Sequence, residues 1–215
     1  MADEIIQQEN SWTHIKWTLD GVTPDMIDWH WCNMEKTFIL WHPQEHRALS
    51  WVIRPTEDKF IGAIHKTIQG GEPADMWDPN EVPFGLKYWD PRIMSKEMAD
   101  VVFCDHMVLV GSVKDGDYDA KTAGSFRIHQ WMASDNGVVG MSSGITLNPE
   151  DLEKEKKRMM KWTLHAGGEV HNWAVFLPTL YNLYKVVENP KVNIHHSLKI
   201  EKTPDGLVRY VNDLG

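Results

Sequence analysis

The sequence is poor in cysteine and has no long apolar run. Cys32 and Cys104 are the only cysteines among 215 residues, too few for a disulfide framework, and this favours a reducing compartment. No apolar stretch approaches the roughly 18 residues of a membrane-spanning helix. The opening residues, MADEIIQQENSW, are polar and acidic and lack the apolar core of a secretory signal. These absences predict a cytoplasmic protein that does not span a membrane.

Positive charge is also scarce. The chain has 22 Lys and Arg against 31 Asp and Glu, a formal net charge of −9. Such a chain is a poor partner for nucleic-acid phosphates, so we expect no nucleic acid. The length and the 42% hydrophobic content suit one domain with its own core. We therefore predict a single domain, 1–215, whose partner is a small molecule, and leave a homo-oligomer open.

Tryptophan and histidine, by contrast, are abundant, with eleven of each. Large rigid aromatic side chains with one polar edge suit a pocket that holds a flat ligand. The alternative is that the indoles simply fill a core.

Local signals in the first half predict one helix and several irregular stretches. Residues 22–35 are expected to be a short helix, because Thr23 can cap it and Pro24 suits its first turn. Residues 36–42 are predicted to be extended. Residues 72–92 are rich in Pro, Asp and Trp and predict a long ordered loop, followed by a short helix near 93–99.

The remaining segments predict antiparallel strands followed by one long helix. We expect strands at 49–54, 60–68, 101–113, 121–132 and 138–147. Asn148 and Pro149 are good helix-start residues, and the predicted helix runs to residue 187. Beyond residue 190, two short strands flanking Pro204-Asp205-Gly206 predict a terminal hairpin in a C-terminal extension, 190–215.

This order of elements indicates an α+β fold in which a curved sheet surrounds the long helix and encloses a pocket. In the strand 121–132, Arg127, His129 and Trp131 alternate with Phe126 and Ile128. Because successive side chains point to opposite faces, one face of this strand presents polar groups to the pocket.

His165 and Glu169 lie four positions apart on the predicted helix, and therefore on one face. Trp162 and Trp173 recur at helical spacing and mark that face as buried. An imidazole and a carboxylate in an apolar interior require a partner, and a divalent cation is one. The alternative is an exposed helix pair worth a few tenths of a kcal/mol.

A second histidine cluster, WHPQEH at 41–46, offers a further ligand, His46. His42 precedes a proline, so its backbone is expected to be extended. We assign His42 to orienting His46 or contacting the ligand, and we expect Glu45 to be exposed.

Three motifs resemble the 2,4-diacetylphloroglucinol hydrolase family, which includes phloretin hydrolases. They are VTPDMIDWHW, WHPQEH and HAGGEVHNWAVFLPTLY, within residues 20–187. The resemblance implies a helix-grip fold (Bet v 1-like or START-like) that holds one Zn²⁺ per chain. It implies hydrolysis of the carbon–carbon bond between an acyl group and a polyhydroxylated aromatic ring.

The resemblance also implies a ligand set. His46, His165 and Glu169 match family metal ligands, whereas the family's strand glutamate corresponds to Thr67. His65 or Glu72 could replace it, or three protein ligands suffice, as in many catalytic zinc sites. Phe38 stands where the family has a tyrosine. Together with Thr67, the residues Phe38, Trp41 and Trp173 are predicted to line the pocket.

The implied reaction requires a polarised carbonyl and a proton for the departing ring carbon. Histidine can supply that proton near neutral pH, and His106 and His129 are the candidates. The alternative function keeps the pocket without the hydrolysis. It is a helix-grip protein that binds an aromatic or polyketide ligand, or a metal-assisted cyclase or lyase.

Overall fold

The computed structural model describes most of the chain, in separate segments. They are residues 5–9, 12–56, 59–69, 84–94, 101–113, 118, 125–146, 150–187, 198–202, 204 and 208–212. The chain divides into two compact units, Met1–Pro178 and Thr179–Gly215. Among these residues, no helix combines the length and apolarity needed to cross a membrane.

The first unit contains an eight-stranded antiparallel sheet. Its strands along the chain are β1 (Ile5–Glu9), β2 (Trp12–Asp20), β3 (His46–Ile53), β4 (Ile64–Gln69), β5 (Phe84–Trp89), β6 (His106–Val113), β7 (Ser125–Ser134) and β8 (Gly137–Thr146). Their order in space is β1-β2-β8-β7-β6-β5-β4-β3. β2 therefore pairs with β8, the last strand of this sheet along the chain. Strands β3 to β8 pair in chain order and form a meander.

Most of the predicted strands are confirmed. β7 and β8 form a hairpin that closes at the Ser134–Gly137 pair, with Asp135 and Asn136 as its two turn residues. β3, β4 and β6 fall within or beside the stretches predicted for them. β1 and β2 have no counterpart in the prediction.

Two sequence predictions in the first half are wrong. Residues 36–42 are mostly helical, because α2 spans Met34–Trp41. Its β-branched and aromatic residues favour a strand locally, but helix formation buries Met34, Phe38 and Trp41 together on one face. Residues 72–92 are not all loop, since they include β5, which pairs with both β4 and β6.

The helix predicted at 22–35 is confirmed as α1, Pro24–Cys32, with Pro24 in its first turn. The Thr23 hydroxyl accepts a hydrogen bond from the Met26 amide, as its capping role requires. Pro91–Met94 forms a short 3-10 helix, and the rest of the helix predicted near 93–99 lies outside the described residues.

The long helix, α3, spans Leu152–Val187. Its predicted start at Asn148 and Pro149 lies outside the described residues. In the first unit its buried residues include Met159, Val170 and Trp173, and Trp173 meets Trp17 of β2 edge to face at 5.7 Å. The antiparallel sheet with its long C-terminal helix confirms the α+β helix-grip fold.

The second unit contains a two-stranded antiparallel sheet. β9 (Leu198–Lys202) pairs with β10 (Val208–Asn212), which confirms the predicted terminal hairpin. The single-domain boundary 1–215 stays a prediction.

A glycine in β8 permits the close contact between β8 and the tryptophan of β2. A Cβ added at Gly140 would lie 2.3 Å from the Trp17 ring and 2.4 Å from the Gln130 carbonyl oxygen. We expect Gly140→Ala to lower the free energy of unfolding by about 1–3 kcal/mol, the usual cost of overpacking. Urea unfolding followed by circular dichroism measures this. An unchanged midpoint would contradict the contact.

Candidate metal centre and its cavity

Three side-chain atoms from two distant parts of the chain meet in the interior. His46 Nε2 lies 3.3 Å from His165 Nε2 and 3.3 Å from Glu169 Oε1, and His165 Nε2 lies 3.1 Å from the same oxygen. All three residues are buried, with exposures of 2%, 8% and 3%. We call these three residues the triad. They form a compact group of two nitrogens and one oxygen.

The turn between α2 and β3 brings His46 to this point. His42 ends α2 with φ −148° and ψ 80°, which avoids the helical conformation disfavoured before Pro43 but falls short of the extended backbone predicted there. The amides of Glu45 and His46 then donate to the His42 carbonyl at 3.1 and 2.8 Å. Asn172 of α3 donates to the Trp41 carbonyl at 3.0 Å and ties this turn to the helix.

A glycine on α3 makes room for the turn. A Cβ at Gly168 would lie 2.8 Å from His42 Nε2, so a larger residue would displace that ring. In this position the His42 ring stacks on His165, with centroids 4.3 Å apart and planes 11° from parallel.

Hydrogen bonds at the far side of each ring fix the triad tautomers. His46 Nδ1 donates to the Phe38 carbonyl at 2.7 Å, and His165 Nδ1 donates to Glu45 Oε2 at 2.9 Å. Because carbonyl and carboxylate oxygens only accept, each Nδ1 carries a hydrogen. In the neutral rings both Nε2 lone pairs therefore point towards Glu169. Such a convergence of acceptors requires a cation or an added proton.

The electrostatics show how the triad is balanced by a proton. Burial disfavours the imidazolium of His165, but Glu169 and Glu45 outweigh it and raise the His165 pKa to about 9. Burial also opposes charge on Glu169, yet His165 and His46 hold the Glu169 pKa well below its usual range. The second oxygen, Glu169 Oε2, is buried without a hydrogen-bond partner among the described residues.

The triad also has the dimensions of a tetrahedral zinc shell. With zinc–nitrogen and zinc–oxygen bonds of about 2.0–2.1 Å, two ligands of a tetrahedron lie about 3.3 Å apart. The observed separations are 3.1–3.3 Å. Both Nδ1–H groups donate hydrogen bonds to oxygen atoms, as the second ring nitrogen of a metal-binding histidine usually does. A metal ion would replace the proton that otherwise neutralises the group.

Glu45 is the residue that the sequence prediction assigned wrongly. It was expected to be exposed, but its carboxylate is half-buried and binds His165. Its other oxygen lies 3.8 Å from His42 Nε2. Glu45 precedes the candidate ligand His46 by one residue, and this position indicates a place near the site. Its contact with His165, 120 positions away in sequence, forms only in the folded chain.

Two of the positions considered for a fourth ligand, His65 and Thr67, lie on β4. Thr67 is buried, and its hydroxyl donates to the Ala48 carbonyl at 3.1 Å. His65 is buried beside Trp51 and Tyr88, and Glu72 lies outside the described residues. Gln69, which sequence analysis missed, pairs directly with His46 across the strands.

Two cavities adjoin the triad. The outer cavity, of about 360 Å³, is reached by His165 and Glu45. The inner cavity, of about 40 Å³, is reached by Glu169. The two cavities are adjacent, because they share five wall residues: Gln69, Leu86, Val110, Arg127 and Trp162. The inner wall is strongly aromatic and includes Trp31, Trp41, Tyr88 and Trp162.

Only one of the predicted pocket residues lines a cavity among the described residues, and that is Trp41. Phe38 instead stacks on the His46 ring, 4.0 Å away and nearly parallel. Trp173 is fully buried against Trp41, with centroids 5.7 Å apart. Phe38 and Trp173 therefore support the triad and the inner wall from behind.

The two candidate acids lie in different environments. His129 lines the inner cavity and contacts the Ser142 hydroxyl at 2.9 Å. Burial lowers the His129 pKa to about 4, a state that does not suit a proton donor at neutral pH. His106 pairs with Asp28 at 2.9 Å and is not among the described residues that line either cavity.

Buried neutral histidines make the stability of the fold dependent on pH. Burial lowers the pKa of His65 to about 3. The unfolded chain takes up this proton near pH 6.5, so stability decreases as pH falls from about 6.5 to 3. We expect the loss between pH 7 and 5 to be roughly 2 kcal/mol smaller in His65→Phe. Thermal melts measure it, with the exposed His171→Gln as control; identical slopes would contradict the prediction.

Glu45 provides a direct test of the metal centre. Glu45→Gln removes the charge that holds His165 Nδ1–H, so we expect zinc affinity to fall about 10–100-fold, as when outer-shell partners of metal ligands are lost. Competition with a chromophoric chelator measures this. The exposed Glu153→Gln is the control, and equal affinities in the two variants would exclude the supporting role.

Comparison with known proteins identifies the fold alone. No protein-family model matches the sequence, and no curated protein matches it. A crystal structure from Nitrosomonas europaea is similar, with a TM-score of 0.51 at 13% identity over 83% of this chain and 99% of that one. Another, from Mycobacterium smegmatis, has a TM-score of 0.50 at 10% identity over 84% and 99%.

A norcoclaurine synthase mutant from Thalictrum flavum matches 86% of this chain and 99% of its own, at 14% identity. Its TM-score of 0.44 is too low to assign any property of that enzyme to this chain. The site must therefore be interpreted from its own chemistry.

Proposed function

We propose that this protein is a zinc-dependent hydrolase that cleaves the carbon–carbon bond between an acyl group and a polyhydroxylated aromatic ring. The observation that carries the proposal is the triad, in which His46 Nε2, His165 Nε2 and Glu169 Oε1 lie 3.1–3.3 Å apart. The resemblance of its motifs to the 2,4-diacetylphloroglucinol hydrolase family supports the substrate class.

The triad leaves room for a substrate, as a catalytic zinc site requires. Three protein ligands with an open fourth position are the common catalytic arrangement. The triad lies where the outer and inner cavities meet, so a ligand can reach it from a space of about 360 Å³. A bound Zn²⁺ supplies Lewis acidity at an acyl carbonyl and lowers the pKa of a water molecule towards about 7.

The protein's own residues position the substrate. Trp162, which lines both cavities, offers an indole on which a flat ring in the outer cavity can stack. His129 is neutral near pH 7 because of burial, so we assign it to hydrogen bonding with a ring hydroxyl rather than to protonating the departing carbon. Glu45 holds His165 in the ligating tautomer.

The second candidate function is a helix-grip protein that binds an aromatic or polyketide ligand, or a metal-assisted cyclase or lyase, without this hydrolysis. Thr67 favours it, because the position of the family's strand glutamate is occupied here by a hydroxyl that donates to Ala48. In a protein that only binds the ligand, without a metal, the His165–Glu169 pair remains a buried imidazolium–carboxylate pair, which the raised pKa of His165 supports.

Removing triad ligands distinguishes the two functions. We expect the wild type to bind about one zinc ion per chain and to hydrolyse 2,4-diacetylphloroglucinol near neutral pH. His46→Ala and Glu169→Ala should each lose the zinc and nearly all turnover, since two remaining ligands do not hold the ion. Elemental analysis and product chromatography measure these quantities.

His106→Ala serves as the control, because His106 pairs with Asp28 and lines neither cavity within the described chain. It should retain both zinc and turnover. A wild-type protein that binds flat aromatics but takes up no stoichiometric zinc would favour the second candidate. A metal-loaded, active His46→Ala/Glu169→Ala double variant would exclude the first.

A further inference from the structure

We propose that the outer cavity contains a carboxylate-binding subsite, formed by Arg127 and Lys161, and that the substrate is an acylated aromatic acid. The inference rests on the proposed function for the position of the acyl group, but the subsite itself is argued from charge and contacts in the cavity wall.

The sign of charge in this cavity is opposite to that of the chain. The protein has a formal net charge of −9, yet the described wall of the outer cavity carries Arg127, Arg158 and Lys161 against a single carboxylate, Glu45. Acidic chains do not concentrate cations in a cavity by composition alone. The local excess of positive charge favours an anionic ligand.

The charges in the wall are unequally neutralised. Glu45 is bound to His165, and Arg158 is bound to Glu155 through Nε and Nη2, at 2.8 and 2.6 Å. Within the described chain, neither Arg127 nor Lys161 has an ion-pair partner. Glu155 and Glu169 act on Arg127 only from a distance, and Lys161 is exposed, so both cations are free to contact an anionic group that enters the cavity.

Arg127 is held in place as a recognition group would be. Its Nη1 donates to the Ser125 hydroxyl at 2.9 Å and to the Phe126 carbonyl at 2.8 Å. Its guanidinium carbon lies 4.8 Å from the centre of the Trp162 ring. These contacts fix one edge of the planar group, and a guanidinium so fixed suits the two oxygens of a carboxylate.

Burial is costly for this side chain. It lowers the Arg127 pKa to about 9, so the group stays charged near neutral pH while its solvation is reduced. Arg127 is partly buried and forms no direct ion pair with a described carboxylate, so a ligand carboxylate in contact with it would offset the cost of its reduced solvation.

The position of the subsite relative to the triad defines the ligand. Arg127 lines both cavities, His165 the outer and Glu169 the inner. An acid group at Arg127 and Lys161 therefore leaves the ring against Trp162 and directs the acyl group towards the triad. The volume of about 360 Å³ lies within the usual range for a small-molecule site.

The test compares two ligands of the same shape, 4-acetylbenzoate and 4-acetylbenzamide, which differ in charge. Titration calorimetry is performed on the full chain, both zinc-loaded and after removal of metal with EDTA. In both states we expect the benzoate to bind at least about tenfold more tightly, the usual value of a hydrogen-bonded charge. Equal affinities, or no binding of either compound, would overturn the proposal.

Substitutions in the cavity wall test which residues give the protein its preference for the acid. Arg127→Met and Lys161→Met should each reduce the preference for the acid, whereas Lys157→Met, an exposed lysine one turn earlier on α3, should keep it. Lys161 is also exposed, so its variant tests the subsite even if the Arg127 variant fails to fold. An unchanged preference in Lys161→Met and in any folded Arg127→Met would overturn the assignment.

The metal-free titration separates this inference from the proposed function. If the EDTA-treated protein prefers the acid but zinc does not bind, the subsite stands and the hydrolase proposal fails. If zinc binds but the protein shows no preference for the acid over the amide, the subsite proposal fails and the metal centre stands.

Discussion

Burial of the Glu169 carboxylate is the constraint on which the site depends. A carboxylate in an aromatic interior is strongly unfavourable unless positive charge or donors surround it. Here two imidazoles meet the same oxygen, and the half-buried Glu45 holds the farther side of one of them. The group is therefore neutralised either by a proton on His165 or by a cation among the three ligating atoms.

The helix-grip scaffold satisfies this constraint with few parts. α3 supplies His165 and Glu169 one turn apart on the face directed at the sheet. β3 begins at His46, so the ligand stands at the start of a strand and is fixed by its contact with the Phe38 carbonyl. Gly168 permits the turn that precedes β3 to approach the helix. Removing any of these features would separate the ligands.

The parts of this arrangement with a local sequence signal could be predicted. The four-residue spacing of His165 and Glu169, the WHPQEH turn and the strand hairpins all follow from periodicity or turn chemistry. The structure places the side chains of His46 and His165 3.3 Å apart, although they are 119 positions apart in sequence. Their role as metal ligands stays a prediction.

The parts that depend on tertiary contacts could not be predicted. α2 has a strand-like composition, and burial of Met34, Phe38 and Trp41 on one face, with Phe38 stacked on His46, favours its helical form. The contact of Glu45 with His165 and the lack of an ion-pair partner for Arg127 in the described chain arise from the folded arrangement. Neither is encoded in a short motif.

The most direct measurement is anomalous X-ray diffraction at the zinc absorption edge from crystals of the zinc-loaded protein. The account predicts one strong peak about 2.0–2.1 Å from His46 Nε2, His165 Nε2 and Glu169 Oε1. A map without a peak there, with the two imidazoles and the carboxylate joined only by hydrogen bonds, would contradict it.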